Sequence, residues 1–466
     1  MSHGLNGTKY RRWNMGVTIT VLLGLNAIAA PCGPLLIPDD EIDVPALFAA
    51  FRSSDPRQVS RADRQFYAVQ RWPTSAVPFL VAELSRQPTH SVYPLHSNET
   101  TADYAAEALV KIGKAAASAL ANVAVQNADT DSRIRAFNAL ARIGVDANES
   151  IPALLVCTHD QDQDIRYFAV ETLVRVMRTP AEILATLIQC LDDSFADVQG
   201  AAVRGLGTIG PPAKAAVPKL RDMLSTQEHR REDRFSFVPL RADVAEALGR
   251  IGVRDAETTA RCEVLLADED ALVRVAAALA CWRLTDDCER TLGILKKELH
   301  DQSHPVRVTY AAVNALGEMG RHALPLGREL ITLLKHSQAE VRWSAVNAIR
   351  CALPDEYPDH ILPLLQDESS VVRETVIKTL GADDANNVRY IDSIIAALDD
   401  HDPCVQRTAL DVLYRMRGRA QKAIPRLEIM SASDVAAEHD YAQEVLMAIR
   451  GACVPDPAST SGKGRQ

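Results

Sequence analysis

Three aspartates alternate in the stretch HDQDQDIRYFAVE: Asp160, Asp162 and Asp164, with Glu171 twelfth counted from Asp160. Those are the positions from which a calcium-binding helix-loop-helix loop presents its oxygens, and that loop also needs glycine sixth for a sharp turn. The sixth residue here is Ile165, which begins an apolar periodic run, so the loop lacks the residue that would let it wrap an ion. GLGTIG, Gly205 to Gly210, has the G-x-G-x-x-G spacing of a dinucleotide-binding turn, which must follow a strand and open a helix. HDQSH sets His300 and His304 four apart, the spacing of two zinc ligands on one face of a helix, but Pro305 follows directly and marks a turn. No P-loop and no G-x-S-x-G nucleophile turn occurs in the chain.

The elements that would position these residues are set by an internal repeat. An aliphatic residue, then Arg or Gln, then seven residues on an Ala-Leu or similar pair, recurs as IRYFAVETL, VQGAAVRGL, LRADVAEAL, VRWSAVNAI, VRETVIKTL and VQRTALDVL. The Arg or Gln falls at 133, 166, 199, 241, 274, 307, 342, 373 and 406, in steps of 33, 33, 42, 33, 33, 35, 31 and 33 residues. Each unit reads as two amphipathic helices joined by a short polar turn. Gly113, Gly144, Gly210, Gly252 and Gly320 are placed to cap the second helix, and Pro180, Pro211 and Pro218 to open the next unit.

In this register the chemical motifs become equivalent parts of one scaffold. DQDQDIR, DSFADVQ, DEDALVR, DESSVVR and DHDPCVQ are one turn used five times. The first Asp of each can accept N–H groups at the start of the second helix and complement its dipole. Asp162 shares its slot only with Asp270 and Asp402, and that position suggests no role. GLGTIG coincides with ALARIG, ALGRIG and ALGEMG, the end of the second helix in other units, so it predicts no nucleotide site.

The recurring motif resembles the HEAT-repeat family, closest to its short bacterial-type repeats, over roughly residues 43 to 450. The resemblance implies an all-α fold, an α-α superhelix of roughly eleven stacked two-helix units with the second helices on the concave side. It also implies a ladder of Asp and Arg from unit to unit, carried here by Asp160 and Arg166, Asp268 and Arg274, Asp301 and Arg307, and Asp367 and Arg373; Gln199 and Gln406 weaken it. Asp268→Ala is then expected to lower thermal stability without changing any bound metal. Two kinds of HEAT-type enzyme compete with a binding role. Deoxyhypusine hydroxylase holds its irons through His-Glu pairs, and this chain has no His-Glu dipeptide. Bilin lyases use similar repeats, but no diagnostic residue transfers. A non-catalytic scaffold for a protein partner, with no cofactor and no metal, is the expectation.

Composition supports that reading. Aromatics are 5% and hydrophobic residues 47%, which suits closely packed helices. A net charge of -10 repels a phosphate backbone, so nucleic acid is a poor default partner. Residues 1–29 join Lys9, Arg11 and Arg12 to the apolar run Met15 to Leu25 and a small-x-small site at Ala27 to Ala29, the build of a secretory signal or N-terminal anchor. Export or anchoring is therefore expected, with a cytoplasmic leader as the alternative; any membrane contact would come through this segment if it stays uncleaved. Residues 30–42 read as a linker and 451–466 as a disordered tail. Beyond Ala30 no run long enough to cross a membrane is expected. The cysteines are nine and none forms a C-x-x-C pair; Cys157 and Cys190 occupy one slot of neighbouring helices, ~8 to 10 Å apart, and should stay unpaired.

Two features are candidates for partner binding. Nine residues after the Arg position stand Lys111, Arg142, Arg175, Arg250, Arg283 and Arg415, either as cations at helix C-termini or as a basic row along one edge. The insertion Ser225 to Leu240 carries Arg230, Arg231 and Arg234 with Phe235 and Phe237. Arg86 to Thr101 is a similar, less charged break.

Overall fold

The computed structural model describes residues 42–451 except 54, 70, 87–99, 128, 225–237, 302, 383–386 and 433–438. The leader, almost all of the linker and tail, and most of both insertions, including Arg230, Arg231 and Arg234, lie outside the described residues. Among the described residues the chain is entirely helical, with no strand, and its helices run from Val44 to Gly451.

Local chemistry decides where each helix starts and stops. Helix Gln163–Val176 begins where the Asp162 carboxylate accepts the Asp164 N–H at 2.9 Å; Asp270 and Asp402 cap Ala271–Thr285 and Pro403–Met416 in the same way, at 2.8 Å each. This answers what Asp162 does: its slot is the N-cap. At the other end Gly113, Gly144, Gly210, Gly252 and Gly320 take φ between +56° and +71°, a region in which a side chain is strained. The chain then passes through a short 3-10 turn, such as Gly144–Ser150 or Pro211–Ala216, into a brief first helix such as Ile151–Cys157 or Val217–Met223. Pro211 opens such a turn and Pro218 sits in the first turn of its helix, where a missing N–H costs nothing.

The second helices then stack side by side in sequence order: Thr130–Ile143, Gln163–Val176, Ala196–Ile209, Leu240–Ile251, Ala271–Thr285, Val306–Met319, Ala339–Ala352, Ser370–Gly381 and Pro403–Met416. Small residues let them approach. A Cβ on Gly207 would lie 3.1 Å from Ala247 Cα, one on Gly249 2.7 Å from Ala280 Cα, and one on Gly317 3.3 Å from Ala348 Cα. The alanine-rich, aromatic-poor composition follows from that spacing. One group of aromatics gathers in the first units, where Phe48, Phe51, Phe66, Trp72 and Tyr104 are buried together.

Thr101–Gln126 is long and apolar enough to cross a membrane by composition, contrary to the expectation that no such run follows Ala30. It is two helices, broken where Gly113 turns at φ +71°, and Ala105, Leu109 and Leu120 carry it into the core. Cys157 and Cys190 are both buried and free, and burial pushes the Cys190 thiol up to about 11.

Candidate partner-binding surface

The inter-helix turn is the first place to look for chemistry, because five of its carboxylates recur. Each is committed to the fold. Asp160 accepts the N–H of Asp162 at 2.9 Å, and Asp193, Asp268, Asp367 and Asp400 accept the N–H two residues on at 2.8 to 2.9 Å. The remaining oxygen faces a guanidinium from the preceding unit. Arg133 reaches Asp160 at 2.6 Å, Arg166 forks onto Asp193 at 2.8 Å twice, and Arg241 meets Asp268 at 3.1 Å. Arg342 grips Asp367 and Arg373 grips Asp400, each by two bonds of 2.7 and 2.8 Å. The third arm of the fork closes the Arg's own turn: Arg166 Nη1 donates to the carbonyls of Asp160 and Gln161 at 3.0 and 3.2 Å. Burial pushes the Asp160 carboxyl up, but Arg133 and the Asp162 N–H outweigh it and hold it below its usual value.

The rungs therefore join an Arg to the Asp of the following unit, while the Asp and Arg of one turn, Asp160 with Arg166 or Asp367 with Arg373, meet through the Asp backbone carbonyl. One expected pair is wrong. Arg307 is exposed, and Asp301 spends its carboxylate on Ser303 and His304. In six units the Arg or Gln slot follows a buried aliphatic residue, Ile165, Val198, Val273, Val341, Val372 or Val405, and here that residue is Val308, so the slot belongs to Thr309. The two extra residues sit in the turn, and they displace Asp301 from Arg274. Glu298, 1% exposed, replaces it with a fork of 2.7 and 2.8 Å onto Arg274, and His304 Nε2 approaches Glu298 at 3.0 Å. Gln199 and Gln406 keep the bond to their own turn, at 2.8 and 2.6 Å; the positions 27 further on, Thr226 and Ser433, lie outside the described residues.

With Asp160 and Asp162 spent on the turn and Glu171 on Arg204 at 2.8 Å, HDQDQDIRYFAVE presents no cluster for an ion. His300 and His304 do not share a helical face, since helix Cys288–His300 ends at His300. In GLGTIG each glycine has a packing reason: Gly205 lies against Val174, Gly207 against Ala247, and Gly210 is the cap.

The basic row is largely neutralised where it stands. Arg142 pairs with Glu107 at 2.6 Å, Arg250 with Glu246 at 2.8 Å and Glu318 at 3.6 Å, and Arg283 with Glu318. Lys111 lies over the Phe66 ring at 5.0 Å, and burial lowers its pKa. Arg175 and Arg415 are exposed, and Arg415 Nε donates to the Asp411 carbonyl at 3.4 Å. A continuous basic edge does not form, because Glu318 takes the basic-row slot of its own unit, nine residues after Thr309, and Glu107 and Glu246 stand one helical turn before Lys111 and Arg250.

What the sequence reading missed lies on helix Ala271–Thr285. Five residues after the Arg slot the other units carry Asn138, Glu171, Arg204, Glu246, Asn314 and Asn347; this unit carries Leu279. Leu272 and Val275 extend the apolar face, so the helix is hydrophobic on both sides, and its outer row joins a different core cluster from its inner row. The result is a groove of about 40 Å³ lined by Val238, Leu272, Val275, Ala276 and Leu279. Glu246, Glu318 and Asn314 also line it, and Arg250 reaches both carboxylates, at 2.8 and 3.6 Å. The adjoining strip is polar. Arg204 joins Glu171 at 2.8 Å to Asp243 at 3.0 Å, and burial, with Glu246 and Glu171 nearby, pushes the Asp243 carboxyl up to about 7 against the pull of Arg204. The signal was present as ALVRVAAALACWRL, a helix without a polar stripe.

Stacked two-helix units with a closely packed second layer define a helical-repeat solenoid. A family model of HEAT repeats matches residues 151–236 and 358–447, so the chain carries HEAT repeats in these two regions, and two-helix units continue between them. A search of curated proteins finds no match. Among solved structures the chain is similar to the CpcE–CpcF complex of phycocyanin lyase from Nostoc sp. PCC7120, at 21% identity over 57% of this chain and 94% of that one, with a TM-score of 0.35. It is similar also to Kap121p bound to Pho4p, at 14% identity and a TM-score of 0.40; 86% of this chain matches 48% of that one. An engineered protein is matched at 17% identity over 88% and 99% of the two chains, with a TM-score of 0.31.

Proposed function

We propose that this chain is a non-catalytic scaffold that binds another protein along the exposed face of its stacked second helices. The observation that supports the reading is Leu279 in a slot that holds Glu246 and Asn314 in the neighbouring units, which with Leu272 and Val275 floors a shallow apolar groove rimmed by polar groups, a setting that suits a protein contact. The turn carboxylates and their arginines are spent on holding the units together, which leaves this face as the surface with unassigned character.

A photo-crosslinking residue at Ala276 tests it, with one at Val264, 74% exposed on a first helix, as the control. In the native compartment a defined protein should crosslink from Ala276 and not from Val264. Stoichiometric iron in the purified chain, together with crosslinking equal from both sites, would favour the enzyme reading instead. The leader belongs to the same proposal: the protein is exported, or held at a membrane by its N-terminus. Cell fractionation with N-terminal sequencing should find a mature chain beginning at Ala30; a chain recovered whole in the cytosol overturns that part.

A further inference from the structure

The junction between helices Ala196–Ile209 and Leu240–Ile251 is built unlike its neighbours. Gln199 stands in the Arg slot, its amide bonds to the Asp193 carbonyl of its own turn at 2.8 Å, and among the described residues no ladder rung crosses here. The tie between the two second helices is instead Arg204, five residues further on, whose Nη1 donates to Asp243 at 3.0 Å. The same guanidinium reaches back through Nη2 to Glu171 on helix Gln163–Val176 at 2.8 Å. Gly200 leaves the room for this, since a Cβ there would lie 3.2 Å from Arg204 Nη1 and 3.7 Å from Asp243 Oδ2.

One guanidinium therefore serves two carboxylates, and they are not equally placed. The Glu171 side chain is 31% exposed and that of Asp243 7%, so Glu171 keeps its charge hydrated and the cost of ionisation falls on Asp243. Glu246, one turn further along the same helix, adds another negative charge, which Arg250 engages at 2.8 Å. Asp197, on the helix of Arg204, is buried as well, and the Tyr167 hydroxyl, raised first by burial and then by Glu171, feels Asp197 and Asp243 too. Helix Ala271–Thr285 presents Leu272, Val275 and Ala276 beside Ala242 and Glu246, and its arginines are held elsewhere, Arg274 by Glu298 and Arg283 by Glu318. Burial is the largest cause of the rise of the Asp243 carboxyl to about 7, with Arg204 opposing it and Glu246 and Glu171 adding to it.

We propose that this junction is a proton-sensitive joint in the solenoid, held while Asp243 is neutral and loosened when Asp243 ionises. Ionisation leaves two carboxylates on one guanidinium, one of them buried, and opening the joint lets water reach the buried one. A ladder junction differs, because there Arg373 forks onto the single carboxylate of Asp400, which, against the push of burial, is held below its usual value by that guanidinium and the Asp402 N–H. Since the closed joint raises the Asp243 value, the proton's contribution is present at low pH and is lost as pH rises through about 7. This behaviour does not depend on what the chain binds.

The test is amide hydrogen exchange on the full chain at about pH 5.5 and about pH 8, with the intrinsic pH dependence of exchange divided out. Protection in Ala196–Ile209 and Leu240–Ile251 should fall by about tenfold or more at the higher pH, while Ala339–Ala352 and Ser370–Gly381, joined by the rung from Arg342 to Asp367, should change by at most about twofold. Asp243→Asn, checked for folding by circular dichroism, should abolish the difference, and Glu171→Gln should reduce it. The comparison of the four helices needs no variant, and a fall shared equally among them overturns the joint. So does a difference that persists in Asp243→Asn. A difference that disappears on His229→Gln and survives Asp243→Asn would place the proton on His229, outside the described residues, and overturn it as well.

Discussion

Arg342 is the position at which the ladder can be weighed. Its side chain is 7% exposed and that of Asp367 5%, and the guanidinium makes two bonds to Asp367, two to the carbonyls of His336 and Ser337, and one to Glu368 at 3.1 Å. Arg342→Leu leaves the Asp367 carboxylate buried with only the Ser369 N–H at 2.8 Å, and leaves two turn carbonyls without their donor. Breaking a buried pair by removing one partner costs about 3 to 5 kcal/mol, and the retained Ser369 bond places this case near the lower end. Arg254 and Asp286, 56% and 69% exposed, make the comparison, because Arg254→Leu should cost at most about 1 kcal/mol. In a solenoid each unit contacts only its neighbours, so the loss should stay local. Hydrogen exchange on Arg342→Leu should therefore speed by about 100-fold in helices Ala339–Ala352 and Ser370–Gly381 and leave Thr130–Ile143 unchanged. Adding Asp367→Asn, which removes the stranded charge and keeps the turn acceptor, should return part of the loss. A cost below about 1 kcal/mol for Arg342→Leu, or acceleration spread evenly over the chain, would refute the idea that the rungs join units as buried pairs.

Three other outcomes follow from the packing and the titrating groups. Gly249→Val drives side-chain atoms into the Ala280 backbone, 2.7 Å from where a Cβ would sit, and should lower the melting temperature by the equivalent of about 1 to 3 kcal/mol, while Gly293→Val, at a site with open space, should lose far less. Asp243, pushed up to about 7 in the fold, binds a proton there that the unfolded chain releases near its ordinary value. Stability should thus fall as pH rises from about 4 to 7, and Asp243→Asn should flatten that slope in denaturant titrations. A slope unchanged by the substitution would contradict the assignment. Exposed Cys404 should react with iodoacetamide in the native chain, whereas Cys190, Cys262 and Cys281, whose buried thiols are pushed up to about 11, 12 and 11, should label only on unfolding, as mass spectrometry of the modified peptides would show.

Much of the architecture was legible because a repeat states its own register many times. The caps at Gly113, Gly144, Gly210, Gly252 and Gly320, the shared turn, and the dismissal of GLGTIG all came from aligning the chain with itself. Register errors came where the repeat length changed. Around Arg307 two added residues could lie in the turn or in the helix, and counting from the arginine chose the wrong one; the burial of Val308 settles it. The basic row is interrupted for a different reason: a column of like residues ignores the carboxylates one turn earlier or in another unit, and those are what Arg142, Arg250 and Arg283 touch.

By itself the sequence determined that this chain is a stack of two-helix units, because each unit has an apolar face it cannot bury alone and the same short-range turn and cap chemistry acts in every copy. Only the tertiary structure decided which charges meet and which surface is left open. Rungs join residues about 27 positions apart across a helix-helix contact, and the groove on Ala271–Thr285 exists because three helices bring Glu246, Leu279 and Glu318 around one floor. Distances of that kind are set by how neighbouring units pack, which no single copy of the repeat encodes.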